Sequence, residues 1–144
     1  MYPLSFAEFM TIYSGDKYMG LSEYMLYGGI PLVVLREGAN DKAVSLQNLF
    51  NEIYLRDITK RNRVRNIGEL EDLLNILSSA IGSLTNPEKL KNTFRTVKKS
   101  RITSATIKKY LDYLEDSFLI ESAQRYDIKG QAYIETPKKY YFSD

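Results

Sequence analysis

The chain has 144 residues, of which 44% are hydrophobic and 26% charged, and its formal net charge is +2 without a single His or Cys. Zinc sites, Ser-His or Cys-His catalysis and imidazole acid–base chemistry are therefore excluded within this sequence, since each depends on one of the two missing residue types. The longest apolar run, Ile30–Leu35, is far shorter than the roughly 20 residues that cross a bilayer, so we expect a cytoplasmic chain without a membrane partner.

Basic side chains are concentrated in the second half of the chain. The first 59 residues carry four basic and seven acidic side chains, whereas the remaining residues carry sixteen and eleven. Eight of the basic side chains, and no acidic one, lie between Lys89 and Leu111. Such a segment attracts anionic partners, although a solvated basic helix face is the simpler interpretation.

The N-terminal region is predicted to be helical. Ser5 begins a first helix, with a capping-box glutamate three residues further on. Ser22 is expected to begin a second helix that ends at Gly28 and Gly29. Pro31 then blocks the continuation of this helix, because its ring clashes with the preceding turn and it lacks an N–H.

Three long amphipathic helices are predicted next, with a shorter helix before the last of them. The first covers residues 40–61 and ends in a basic turn, which suits the helix dipole. The second begins at Asn66, the short helix has Pro87 in its first turn, and the last begins at Thr103 or Ser104. Apolar residues at spacings 0, 3, 4, 7 and 11 predict buried stripes on the second and last of the long helices: Leu70, Leu73, Leu74, Leu77 and Ile81, then Ile107, Tyr110, Leu111, Leu114 and Phe118.

Two strand-like segments follow the last helix. They cover residues 119–127 and 133–144, with a Lys-Gly turn between them. Three helices followed by a hairpin is the order of a winged helix-turn-helix, lacking only the small strand often found between its first two helices. We therefore predict a mainly α fold with a small β-hairpin (α+β). In it, a helical region at 1–65 precedes a winged helix-turn-helix domain at 66–144 that is truncated at its C-terminal end.

The last helix is the element that would enter a DNA major groove in such a domain. Small hydroxyls and lysines at its start suit phosphate contacts with limited base readout. Asp112, Glu115 and Asp116 further along the same helix would repel phosphates, so a packing or regulatory role is the competing interpretation. The residues predicted to contact nucleic acid are Lys98, Lys99, Arg101, Thr103, Ser104, Thr106, Lys108 and Lys109, with Lys129 in the wing.

Six ordered segments resemble the C-terminal half of a large prokaryotic family of predicted AAA+ superfamily ATPases. In that family a nucleotide-binding core is followed by a domain of unknown function that contains a winged helix, and commonly by a nuclease-like α/β segment. The resemblance covers essentially the whole chain. The segments that carry it are PLSFAEF, YGGIPLVVL, LFNEIYLRDITKRNRVRN, IGSLTNPEKLKNTF, TIKKYLDYLEDSFLI and RYDIKGQAYIETPKKYYFSD.

The resemblance implies that this chain is part of a longer protein. ATP and Mg²⁺ would be bound in the parent by a phosphate-binding loop and an acidic strand upstream of Met1, and neither cofactor would be bound by the fragment itself. Residues 1–35 would form the helical lid of the ATPase, and residues 36–65 a connecting helix. The partners would be the upstream ATPase core and the downstream nuclease-like segment.

Two further groups of residues are candidates for nucleotide contact. Gly28, Gly29 and Pro31 resemble the GxP motif of signalling-type and archaeal P-loop ATPases, where the lid proline packs on adenine; a helix C-cap followed by a breaker is the alternative. Arg56 and Arg61 are candidates for sensing the γ-phosphate, and a structural ion pair or a basic helix end is the alternative interpretation.

Within these 144 residues we find no phosphate-binding motif, no catalytic constellation and no metal site. The sequence therefore predicts a non-catalytic C-terminal fragment of an AAA+ ATPase, whose winged helix couples nucleotide state to a partner. Only the parent protein would hydrolyse ATP. A free-standing winged-helix protein that binds double-stranded DNA is the alternative function.

Overall fold

The computed structural model describes residues 3–124 and 137–143, and these form two compact units, residues 3–57 and residues 58–143. The sequence placed the division between domains at 65/66, whereas the units divide between Asp57 and Ile58. The described chain is mainly helical with one small antiparallel sheet, so the predicted fold class is confirmed. The helices are α1 (Phe6–Ile12), α2 (Lys17–Tyr27), α3 (Pro31–Val34), α4 (Ala39–Leu49), α5 (Arg56–Arg61), α6 (Ile67–Ser79), α7 (Pro87–Thr93) and α8 (Ser104–Asp116), with π-helical turns at Phe50–Leu55 and Phe94–Lys98.

The first unit begins with the predicted capping box. Ser5 N–H donates to Glu8 Oε2 at 2.8 Å, and the backbone N–H of Glu8 donates to Ser5 Oγ at 3.4 Å. The prediction that Ser22 begins α2 is wrong. The helix starts at Lys17, because the Asp16 carboxylate accepts the backbone N–H groups of two residues in its first turn, and Ser22 lies in mid-helix.

Aromatic side chains hold α1 against α2. The ring of Phe9 lies 5.2 Å from the Tyr13 ring and 5.4 Å from the Tyr24 ring, measured between centroids. Lys42 of α4 forms an ion pair with Glu23 of α2. Aromatic pairs such as those of Phe9 contribute about 0.5–1.5 kcal/mol each beyond the area that they bury.

The core of the second unit comes from the apolar faces of α6, α7 and α8. Two members of the predicted stripes are exceptions, since Ile81 is 53% exposed and Phe118 is 79% exposed. Both follow the last residue of their helix, so the helical spacing no longer places them on the buried face. The fully buried side chains are Ile58, Leu70, Leu73, Phe94, Ile107, Leu114 and Ile120.

The sheet pairs strand β1 (Ile120–Ala123) with strand β2 (Lys139–Phe142) in antiparallel register, from Ile120↔Phe142 to Ala123↔Lys139. The segment between α6 and α7 also contacts this sheet. Thr85 and Lys138 exchange backbone hydrogen bonds of 2.8 Å in each direction. A single-residue bridge thus stands where the sequence predicted no strand.

No helix in the described ranges, 3–124 and 137–143, is both long and apolar enough to span a lipid bilayer.

Candidate interaction groove

The hydroxyl side chains predicted to contact bases lie at the start of α8. Thr103 caps the helix, because its Oγ1 accepts the backbone N–H of Thr106 at 3.2 Å and lies 3.0 Å from the Thr106 hydroxyl. Ser104 Oγ donates to Glu88 Oε2 of α7 at 2.5 Å. These hydroxyls are therefore engaged in capping and in contact with α7, and their contact with nucleic acid stays a prediction.

The basic side chains predicted to contact phosphate lie on the connection before α8 and on α8 itself. Lys98 Nζ forms an ion pair with Asp72 Oδ1 of α6 at 2.7 Å, which partly offsets its charge. The other basic residues of this group are exposed: Lys99, Arg101, Lys108 and Lys109. Lys129 lies outside the described residues, as do residues 125–136 of the predicted hairpin.

A groove of about 570 Å³ lies between the start of α7, one face of α8 and strand β2. The α8 residues that line it are spaced three and four apart, which places them on one side of the helix. Leu111 and Tyr140 contribute largely buried apolar surface. The charged residues that line the groove are Glu88, Lys108, Asp112, Glu115 and Lys138.

Three carboxylates and two ammonium groups leave the groove lining with one net negative charge. Glu88 forms an ion pair with Lys91, and hydrogen bonds from Lys91 and then Ser104 lower the pKa of the Glu88 carboxyl. Within the described part of the chain, Asp112 and Glu115 form no ion pair. The groove therefore keeps two carboxylates available to a ligand.

Tyr140 lines the groove and is also one of the buried core residues. Its side chain is only 7% exposed, on the strand residue that pairs with Ser122. Burial, followed by the negative charges of Glu115 and Asp112, raises the pKa of the Tyr140 phenol to about 12. The phenol is therefore neutral near physiological pH and available as a hydrogen-bond donor beside two carboxylates.

The glycines predicted to approach adenine have local roles in the first unit. Gly28 ends α2 with φ 71°, and Pro31 begins α3, as a helix cap followed by a breaker would. Gly29 lies against the backbone of Leu4, whose N–H donates to the Gly29 carbonyl at 2.7 Å. The alternative interpretation thus accounts for the local geometry, and adenine contact stays a prediction.

Arg56 and Arg61 also have local surroundings typical of a helix. Arg56 Nη1 pairs with Glu52 Oε2 at 3.2 Å, one turn earlier, and both side chains are exposed. Arg61 lies in the last turn of α5, where a cation interacts favourably with the helix dipole. Phosphate sensing by either arginine stays a prediction.

Sequence reasoning predicted nucleic-acid contact for Ser104 and Lys108 but did not predict the groove that they line. Asp112 and Glu115 were noted only as groups that repel phosphate. The spacing of Lys108, Asp112 and Glu115 on one helix face was the available signal, but their proximity to Tyr140 depends on how the strand returns. Among the residues that the structure describes, no group of acidic side chains could hold a metal ion.

The described elements thus define a small helical protein with a two-stranded sheet and a groove beside its last helix. Residues 19–144 match the model of a family described as "Domain of unknown function (DUF8612)", and the chain belongs to this family. No solved structure matches the chain.

Two curated relatives are similar to this chain and are much longer. An uncharacterized protein of Haemophilus influenzae is 38% identical over 149 residues, which cover 100% of this chain and 37% of the relative. An uncharacterized protein of Methanocaldococcus jannaschii is 29% identical over 130 residues, which cover 82% of this chain and 29% of the relative. The chain therefore spans about a third of the length of the curated relatives it matches.

Proposed function

We propose that the second unit is a winged-helix interaction module, and that the chain is the non-catalytic C-terminal portion of an AAA+ superfamily ATPase. In the parent protein, the upstream core would bind ATP and Mg²⁺, and the module would couple nucleotide state to a protein partner. The order α6, α7, α8, β1, β2 supports the winged helix, and the bridge between Thr85 and Lys138 occupies the place of its small first strand. The greater length of both relatives supports a larger parent.

The observation that carries the interaction role is the charge along α8. Ser104 is bonded to a carboxylate of α7, and Asp112 and Glu115 follow on the side that faces the groove. Like charges this close to an approaching phosphate cost energy that the neighbouring lysines only partly offset. A protein surface is therefore a better partner for this face than a DNA backbone.

Duplex DNA binding is the second candidate function, because Lys99, Arg101 and Lys109 are exposed close to the start of α8. In this case the basic connection before α8 would contact phosphates, and affinity would fall steeply with salt.

Fluorescence anisotropy with a labelled duplex distinguishes the two candidates. At physiological salt we expect no binding tighter than the non-specific range of about 10⁻⁴ to 10⁻⁶ M. Tighter, salt-dependent binding that is lost in the double variant Lys98→Ala and Lys99→Ala would establish the DNA-binding function instead. Lys17→Ala with Lys60→Ala is the matched control, because it removes two exposed cations elsewhere in the chain.

The parent class is tested by the full reading frame and its product. We expect a phosphate-binding Gly-Lys loop ahead of the present Met1, and ATP turnover by the full-length protein that the 144-residue chain lacks. A reading frame without such a loop would contradict the proposed ATPase parent. Turnover by the chain alone would contradict its non-catalytic role.

A further inference from the structure

We propose that the groove beside α8 binds an arginine side chain presented by a peptide segment of the partner protein. This inference rests on the proposed interaction module and names the chemistry that the module recognises. It is carried by the contents of the groove: a largely buried tyrosine whose phenol has no partner in the described chain, two carboxylates without an ion-pair partner there, and adjacent apolar surface.

The Tyr140 hydroxyl is the first argument for a ligand. Although the side chain is 7% exposed, its phenol makes no hydrogen bond to any other residue that the structure describes, and it lies at the groove wall. In the described chain the fully buried side-chain oxygen without a partner is Ser143 Oγ, so the Tyr140 oxygen is open to the groove. A ligand that brings a hydrogen-bonding group into the groove would replace water at this oxygen.

The two carboxylates of α8 are the second argument. Asp112, Glu115 and Tyr140 all line the groove, so one ligand in it can meet all three groups. Neither Lys108 nor Lys138 pairs with these carboxylates in the described chain, and Lys138 instead lies 3.5 Å from the Ser122 hydroxyl. A cation from a partner would thus meet two carboxylates that are not already neutralised.

A guanidinium group fits this set of partners better than an ammonium. It is planar and has five N–H donors in a fixed arrangement, so it can donate to both carboxylates and to the phenol oxygen. Its flat face and its aliphatic stem can cover apolar surface such as that of Leu111. A volume of about 570 Å³ leaves room for the residues on either side of the arginine.

NMR titration of the isotope-labelled 144-residue chain with blocked tripeptides tests the proposal. The probes are Gly-Arg-Gly, Gly-Lys-Gly and Gly-Glu-Gly, each acetylated and amidated. We expect the arginine peptide to shift the amide signals of Ala105, Leu111 and Tyr140 with a millimolar Kd, about tenfold tighter than the lysine peptide. No shifts at these amides, or equal binding of the lysine or glutamate peptide, would overturn the proposal.

Substitutions in the groove supply the matched comparison. The double variant Asp112→Asn with Glu115→Gln is expected to weaken arginine-peptide binding at least about tenfold, and Tyr140→Phe to weaken it several-fold with the ring retained. Lys108→Gln is expected to strengthen binding, because it removes a competing cation. Asp116→Asn, on the same helix but not lining the groove, should leave binding unchanged. Equal binding by all four variants would overturn the proposal.

The tests of this inference and of the proposed function can fail separately. Tight duplex binding through Lys98 and Lys99 would contradict the protein-interaction role. The peptide titration would still decide, separately, whether the groove binds arginine. A silent peptide titration together with an upstream Gly-Lys loop and ATP turnover would remove the arginine site and leave the ATPase-coupled module in place.

Discussion

Tyr140 couples the electrostatics of the groove to the stability of the second unit. A solvated tyrosine has a pKa of about 10, whereas burial and the carboxylates of Glu115 and Asp112 raise the pKa of Tyr140 to about 12. The folded state therefore favours the neutral phenol more strongly than the unfolded state does. This contribution to stability is complete below about pH 10 and is lost as the pH rises towards about 12.

We expect the free energy of unfolding to fall between about pH 10 and pH 12 by roughly 2–3 kcal/mol more in the natural chain than in Tyr140→Phe. Urea unfolding followed by circular dichroism across this range measures the difference. Tyr141→Phe is the control, because it removes the neighbouring phenol, whose residue is 42% exposed. If the free energy of unfolding changes with pH equally in the natural chain and in Tyr140→Phe, the raised pKa of Tyr140 is contradicted.

Gly29 makes the other residue-level prediction, since its α-carbon has no room for a side chain. A Cβ at this position would lie 2.1 Å from the carbonyl oxygen of Leu4. Gly29→Ala must displace backbone and should destabilise the first unit by about 1–3 kcal/mol. Hydrogen exchange at the Leu4 amide, which bonds to Gly29, measures the loss directly.

Gly38→Ala separates steric contact from backbone strain. Gly38 has φ 87°, but a Cβ there would meet nothing within 4 Å. We therefore expect a cost of about 1 kcal/mol from its left-handed backbone, without faster exchange at Leu4. Equal effects of the two substitutions on the Leu4 amide would show that the close approach to Gly29 is unimportant.

The glycine pair illustrates what a sequence can and cannot specify at single positions. Paired glycines before a proline predicted contact with adenine, which stays a prediction, and Gly29 lies against another backbone segment. The approaching group is the backbone of Leu4, which is distant in sequence and is brought there by the packing of α1 on α2. Composition and spacing do not encode such a contact.

At the scale of elements, substitution of the N-cap residue of α8 tests how much one capping hydrogen bond stabilises a helix. Thr103 Oγ1 accepts the backbone N–H of Thr106, which has no partner within the helix. Thr103→Ala should therefore destabilise the second unit by about 1 kcal/mol, and Thr103→Ser should restore most of the loss. Urea unfolding measures both variants. A loss that serine does not restore would mean that the threonine methyl, rather than the hydroxyl bond, provides the stability.

The existence of the helices was easier to predict than their ends. The stripes of α6 and α8 follow directly from helical spacing, and their inner members are buried. Ile81 and Phe118 continue the same spacing in sequence but follow the ends of their helices, because a stripe carries no information on where hydrogen bonding stops. The bridge from Thr85 to Lys138 was missed for a related reason, since it depends on a long-range backbone pairing.

At the scale of the whole chain, apolar surface is distributed unequally between the two units. Among the residues whose burial the structure describes, which leaves out 53 and 54, Phe9 and Val33 are the buried hydrophobic side chains of the first unit. The other buried hydrophobic side chains belong to residues 58–143. Several large apolar side chains of α2 point to solvent. The most exposed in the first unit are Tyr18 at 84%, Met25 at 78%, Leu35 at 73%, Leu26 at 68% and Met19 at 63%.

Hydrogen exchange should therefore differ between the units. Protection against exchange follows the free energy of local opening, which is lowest where few apolar contacts are buried. We expect amides of α1 and α2 to exchange at least about tenfold faster than amides in the centres of α6 and α8, a difference of about 1.4 kcal/mol or more in opening free energy. Mass-spectrometric exchange of the intact 144-residue chain gives both sets of rates in one experiment.

A core substitution tests whether the two units open independently. Leu114 is fully buried on α8, so Leu114→Ala should cost about 2–5 kcal/mol and lower protection throughout α6, α7 and α8. Because the aromatic contacts of α1 and α2 are made within residues 3–57, exchange in those helices should stay as in the natural chain. Equal loss of protection in α2 and α8 would mean that the chain opens as one cooperative unit, and the first unit would then owe its order to the second.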